Sequence, residues 1–202
     1  MIRKTAFALS LGAIAAAAPL TAQTGIGIVG GYVGANISYE PAQAGLTWSS
    51  KSGFAAGLSL GILSSGSISL GAEGLYVQKG ANATASGYSG SEKVNYLEVP
   101  VLLRYNLGSG KGPKFFITAG GQYSALLSCT TSVTSQADVD CKATNDIKDS
   151  DYGLVFGAGA TSGKITVSAR YDLGLQNLNT DTAATDPVVK TRTFMVLLSL
   201  HM

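Results

Sequence analysis

From Gly25 to Met202 the chain repeats one pattern, runs in which apolar residues alternate with small or polar ones. Eight such runs fall near 26–39, 51–62, 67–78, 92–106, 113–128, 149–161, 163–175 and 189–202. A period of two predicts strands with two unlike faces, because successive side chains point to opposite sides of a strand. In the last run Phe194, Val196, Leu198, Leu200 and Met202 share one face, and Thr193, Met195, Leu197, Ser199 and His201 the other. In the fourth, Leu97, Val99, Val101, Leu103 and Tyr105 alternate with Glu98, Pro100, Leu102, Arg104 and Asn106. In the seventh, Ile165, Val167, Ala169, Tyr171 and Leu173 alternate with Lys164, Thr166, Ser168, Arg170 and Asp172. The connections are alternately long (40–50, 79–91, 129–148, 176–188) and short (63–66, 107–112, 162). Brief turns on one side and long loops on the other are the rhythm of a closed transmembrane barrel. An even strand count puts both termini on the short-turn side.

A soluble barrel buries its apolar face, whereas a membrane barrel turns it outward. Three features select the membrane form. The polar face is mostly Gly, Ser and Ala, which suits a narrow, crowded lumen better than a wetted exterior. Aromatics on the apolar face gather near strand ends, with Phe54, Tyr76, Tyr152 and Phe194 toward the long loops and Tyr105 and Phe115 toward the short turns. Such girdles mark membrane interfaces. The runs also exceed the roughly 9–11 residues a tilted strand needs to cross hydrocarbon. The expected fold is all-β, an eight-stranded antiparallel up-and-down transmembrane β-barrel.

Composition agrees. Charged residues make up 13% of the chain, about half the usual share of roughly 25%. Arg3 and Lys4, the apolar stretch Ala6–Ala18 and the small-residue exit at Thr21-Ala22 read as an export signal over residues 1–22, leaving a barrel domain over 23–202. The signal holds two of the 14 basic residues, so 12 remain against 12 acidic ones. A neutral balance argues against a nucleic-acid partner, which calls for a basic surface. Export to an oxidising compartment favours a disulfide between Cys129 and Cys141, the only cysteines, within the third long loop.

The stretch Tyr96-Leu97-Glu98-Val99-Pro100-Val101-Leu102-Leu103-Arg104-Tyr105 resembles the signature strand of the outer-membrane β-barrel domain ("porin family") proteins of Gram-negative bacteria. Glu73-Gly74-Leu75-Tyr76-Val77-Gln78-Lys79-Gly80 resembles the strand that precedes it there. The closing strand is similar to the signal read by the barrel-insertion machinery, though it ends His201-Met202 where an aromatic is usual, with Phe194 displaced upstream. The resemblance implies outer-membrane lipid and, during biogenesis, that machinery as partners.

Candidate chemistry is sparse. Glu73, Glu98, Arg104, Arg170 and Asp172 fall on the predicted lumen face, where an eight-stranded barrel has only enough room for side chains. Isolated buried charges are too costly to persist, so these are expected to pair into a plug; a narrow selective pore is the sharper alternative. His201 is the sole His and sits at the periplasmic end, out of reach of an outer-leaflet substrate, so Ser-His hydrolysis is rejected and no enzyme is expected. Asp138, Asp140 and Asp146 of the third long loop, with Asp149 and Asp151 at the start of the next strand, form an acidic stretch without the Gly and spacing of a calcium loop. Two thiols without a nearby His fall short of a zinc site. No cofactor or metal is expected.

Trp48, Tyr88 and Pro187 sit in predicted outer loops, which read as display surface for an unknown extracellular ligand. The sequence thus points to a non-enzymatic, monomeric plugged barrel with an envelope-structural or surface-recognition role. The alternatives are a small-solute channel and a secretion-system accessory barrel.

Overall fold

The computed structural model describes residues 25–40, 47–85, 88–108, 112–134, 137–143, 147–179 and 188–202. The expected export signal, Asp146 and Pro187 lie outside the described residues. Eight strands follow one another: β1 Ile26–Glu40, β2 Thr47–Ser65, β3 Ile68–Ala85, β4 Tyr88–Leu107, β5 Lys114–Val133, β6 Ser150–Ser162, β7 Ile165–Gly174 and β8 Val188–His201. Each pairs antiparallel with the next, and β1 pairs with β8 from Gly27↔His201 to Glu40↔Val188, so the sheet closes on itself. Closure leaves no open edge, the condition for a sheet to live in lipid. The last residue is tied in as well, since Met202 N donates to the Ile26 carbonyl oxygen at 2.9 Å.

The outward face is apolar through one continuous band. It carries Ile26, Ile28 and Tyr32 of β1, Leu58 and Leu60 of β2, Leu97, Val99, Val101, Leu103 and Tyr105 of β4, Ile117 of β5, Leu154 and Phe156 of β6, Val167 of β7 and Val196, Leu198 and Leu200 of β8, all exposed. Its upper rim is aromatic: Tyr32, Phe54, Tyr76, Tyr123, Tyr152, Tyr171 and Phe194, with the Phe54 and Tyr76 rings 5.6 Å apart. Above the rim the outward residues turn polar at once: Ser52, Gln78, Asn95, Ser128 and Arg192. Tyr105 and Phe115 mark the lower rim. The tight turn between β6 and β7 relies on Gly163 at φ 58°, a conformation that L side chains rarely adopt.

The strands run further than the alternation predicts. Thr47–Ser50, Lys79–Ala85, Tyr88–Ser91 and Cys129–Val133 were expected as loop and are strand, so Trp48 belongs to β2 and Tyr88 to β4. Ladder hydrogen bonds come from the backbone and hold Ser, Gly, Asn and Thr as readily as Val. β3 continues nine positions past Tyr76 to Ala85. At about 3.3 Å per residue and a tilt near 40° that is roughly 20 Å of sheet above the membrane rim. β6 and β7 stop near the rim, whereas β1, paired with β8 as far as Glu40↔Val188, rises with β2–β5, so the barrel carries a tall wall that is low only on the β6–β7 side.

The segment after β5 folds back against this wall. Thr131 and Val139 form an antiparallel bridge, a Cys129–Cys141 disulfide spans Cα atoms 5.2 Å apart, and Lys142 Nζ donates to the Leu126 carbonyl oxygen at 2.9 Å. Val94, Tyr96, Leu126, Cys129, Cys141 and Ile147 pack together beneath it as a roof over the lumen.

Candidate functional site

The charged lumen is built in tiers from the periplasmic end upward. Lowest, Thr166 Oγ1 lies 3.1 Å from His201 Nε2 and 2.8 Å from Thr161 Oγ1. Next, the Arg104 guanidinium stacks on the Phe116 ring, 3.9 Å from its centroid. Phe116 fits there because Gly159 has no side chain. A Cβ at that position would stand 2.5 Å from the ring and 2.3 Å from the Val167 carbonyl oxygen. The Gly157-Ala158-Gly159-Ala160 run is thus a site of close packing.

The central tier spans the bore. Arg170 on β7 donates Nη1 to Glu73 Oε2 at 2.5 Å and Nη2 to Glu73 Oε1 at 2.7 Å. In a ring of eight, β3 and β7 are diametrically opposite, so this bidentate pair is a bar across the full diameter. Glu73 lies where the β3–β4 ladder lapses, between Ala72↔Val101 and Leu75↔Glu98. The lapse faces Pro100, which has no N–H to donate. Asp172 is buried beside the bar, with its Oδ1 unpartnered among the described residues.

Above the bar, Lys79 Nζ is 2.6 Å from Glu98 Oε1, with both side chains almost wholly buried. Ser124 Oγ donates to the same oxygen at 3.1 Å, and Lys79 sits 5.6 Å from the Tyr96 ring centroid. Higher still, Thr191 Oγ1 donates to Asp151 Oδ2 at 2.8 Å, in space left by Gly174. On the β1, β2, β3 and β8 side, Val29, Val33, Ala35, Ala55, Leu75, Val77, Met195 and Leu197 form an apolar filling. The gap ringed by Leu75, Glu98, Gln122, Arg170, Asp172 and Met195 admits no water-sized sphere. A cavity of about 10 Å³ lies higher, lined by Ala35, Ile37, Lys79, Tyr96, Leu178 and Thr191.

All five predicted lumen residues line the interior, but they do not form one set. Glu73 and Arg170 join each other; Glu98 takes Lys79; Arg104 stacks on a ring and makes no ion pair among the described residues. Lys79, Ser124, Thr191 and Phe116 were missed. For Lys79 the signal was the odd-numbered inward register of Glu73, Leu75 and Val77, had β3 been carried past Gln78. Asp151, expected at the start of the sixth strand beside the acidic loop, is a β6 residue and is buried.

A closed ring of eight antiparallel strands, girdled outside and packed with paired charge inside, is an outer-membrane β-barrel. This chain belongs to the outer membrane protein beta-barrel domain family, whose profile matches residues 21–179. No curated protein matches it. Among solved structures it is similar to Ail, the attachment invasion locus protein of Yersinia pestis, at 14% identity over 89% of this chain and 99% of Ail, with a TM-score of 0.47. It is also similar to OprG of Pseudomonas aeruginosa at 11% identity, 89% and 96% coverage and a TM-score of 0.48. A third is the outer membrane enzyme PagL, at 15% identity, 86% and 98% coverage and a TM-score of 0.43.

Proposed function

We propose that this protein is a sealed, non-enzymatic barrel that anchors a tall β-wall at the cell surface, in an envelope-structural or surface-recognition role. The observation that carries the reading is the Arg170–Glu73 bar across the bore, with the Lys79–Glu98 pair directly above it. Ions that cross such a lumen must displace charges whose hydrogen bonds have no replacement in a dry interior. A Ser-His mechanism acting on the outer leaflet lacks its base, since the sole His is engaged with Thr166 at the opposite end. The recognition surface is the upper wall and the disulfide-pinned segment, where polar side chains sit on a rigid ladder.

Single-channel recording in a planar bilayer tests this, on protein whose unboiled and boiled forms migrate differently on a gel. The parent is expected to be silent, and a Glu73→Ala/Arg170→Ala variant to show open steps. Stable steps in the parent, altered by Glu98→Gln, would establish the solute-channel reading instead.

A further inference from the structure

We infer that the outer face of the β2–β4 wall, just above the aromatic rim, is a binding site for the phosphate groups of an outer-leaflet lipid, with Lys51 and Lys93 as its cations. The two lysines are brought together by a register fault. The β2–β3 ladder shifts by one residue between Ser50↔Ala81 and Ala55↔Val77. Lys51 leaves β2 within this bulge and runs across Gly80, where its Cδ would lie 3.0 Å from a Cβ. Its Nζ then donates to Ser91 Oγ at 3.2 Å, two strands away on β4. Gly80 is the ladder partner of Lys93, so the Lys51 stem lies beside a second lysine. Lys79 points into the lumen, which sets Gly80, Ser91 and Lys93 on the outside.

Like charges side by side repel unless an anion joins them. Partial burial and then the Lys93 charge hold the Lys51 amine below the usual lysine range, with Glu92 opposing. Glu92 is no substitute for an anion on this face, because its carboxylate lies on the inner side, 3.9 Å from Cys129 Sγ. Among the described residues, β2, β3 and β4 place no Asp or Glu on their outer face.

Position selects the ligand. Lys93 stands four residues above Leu97 of the apolar band, roughly 10 Å at about 3.3 Å per residue and a tilt near 40°. The headgroup layer extends about 5–7.5 Å per leaflet beyond the hydrocarbon, so a lysine rooted at its outer edge reaches the phosphates with its flexible stem. Between band and lysines runs a row of polar groups: Tyr32 Oη to Ser52 Oγ at 2.9 Å, Gln78 Nε2 to Asn95 Oδ1 at 3.3 Å, and Asn95 Nδ2 to Ser128 Oγ at 2.8 Å. A lipid packed against the band thus meets aromatic rims, then amides and hydroxyls, then paired ammonium groups.

The test uses the folded barrel in phosphatidylcholine nanodiscs doped with diphosphoryl lipid A, with retained lipid read by native mass spectrometry. Lys51→Gln and Lys93→Gln are each expected to weaken lipid A retention about fivefold, and the double variant about twenty-five-fold. Lys51→Arg should restore most of it. Lys164→Gln, in the turn at the opposite end, should leave it unchanged. Dephosphorylated lipid A should be retained no better by the parent than by the double variant. Retention by the double variant within about twofold of the parent overturns the assignment. So does equal binding of dephosphorylated lipid, or displacement by millimolar inorganic phosphate, which would mark a site for soluble anions.

Discussion

Breaking the Arg170–Glu73 bar on one side only should be costly. Glu73→Gln leaves the shape nearly intact but strands a guanidinium that is 4% exposed. Two hydrogen bonds of 2.5 and 2.7 Å to a charged acceptor are lost as such. At about 1.5–3 kcal/mol each, the gross loss is about 3–6 kcal/mol. The amide oxygen of Gln still accepts one weaker bond, which offsets part of it. Breaking one side of a buried pair typically costs about 3–5 kcal/mol, so the expected loss is about 3 kcal/mol. That is more than a hundredfold in the folded-to-unfolded ratio. Urea titration in lipid vesicles measures it, followed by gel migration and by the fluorescence of Trp48, the sole Trp. A Glu73→Leu/Arg170→Met double variant should return to within about 1 kcal/mol of the parent, since an apolar pair of like volume needs no desolvation. If Glu73→Gln lies within about 1 kcal/mol of the parent, or the double variant is as unstable as the single, the bar does not carry stability as argued.

Val101→Arg places a charge on the lipid face at mid-band and should cost about 2–4 kcal/mol in the same titration. Gly159→Ala should cost about 2 kcal/mol or more, because the carbonyl of Val167 cannot yield. Gly74→Ala, where a Cβ meets nothing within 4 Å, should be neutral or slightly stabilising. Cys129→Ser/Cys141→Ser should loosen the folded-back segment by about 3 kcal/mol on the chain-entropy argument, read as faster proteolysis there with the barrel itself intact. Burial raises the Glu92 carboxyl above its ordinary 4.5 against the pull of Lys51. Its folded state therefore holds a proton longer than its unfolded state, and stability falls as pH rises from 4.5 through the raised value. Glu92→Gln should flatten that decline, which urea titrations at the two ends of the window would show.

How much of this was legible follows from where contrast exists in the sequence. β4, β7 and β8 were readable because lipid on one side and charge on the other make the period of two sharp, as in Leu97 against Glu98 or Tyr171 against Arg170. The strand β1 was readable but its faces were not, because Val29 and Val33 fill the lumen while Ile28 and Tyr32 face lipid, so both faces look alike. The upper wall was missed for a related reason. Beyond the rim the outer face meets water, Ser, Asn and Thr occupy it, and no apolar alternation survives to announce a strand. The lumen charges were legible as a set because isolated ions there are prohibitive, but their partners were not. Pairing depends on which strands stand opposite each other and on how far β3 extends, and only the closed ring supplies both.

Glu73 and Arg170 are 97 residues apart. No hairpin, and no partial sheet of fewer than the five strands β3–β7, holds both of them. The bar therefore forms only after those five strands have paired and curled at least half-way round, which makes it a late arrival in assembly. Interactions that arrive late do not speed folding; they slow its reversal. Arg170 and Glu73 thus act as a latch in time, setting how long an assembled barrel lasts in the membrane rather than how quickly it gets there.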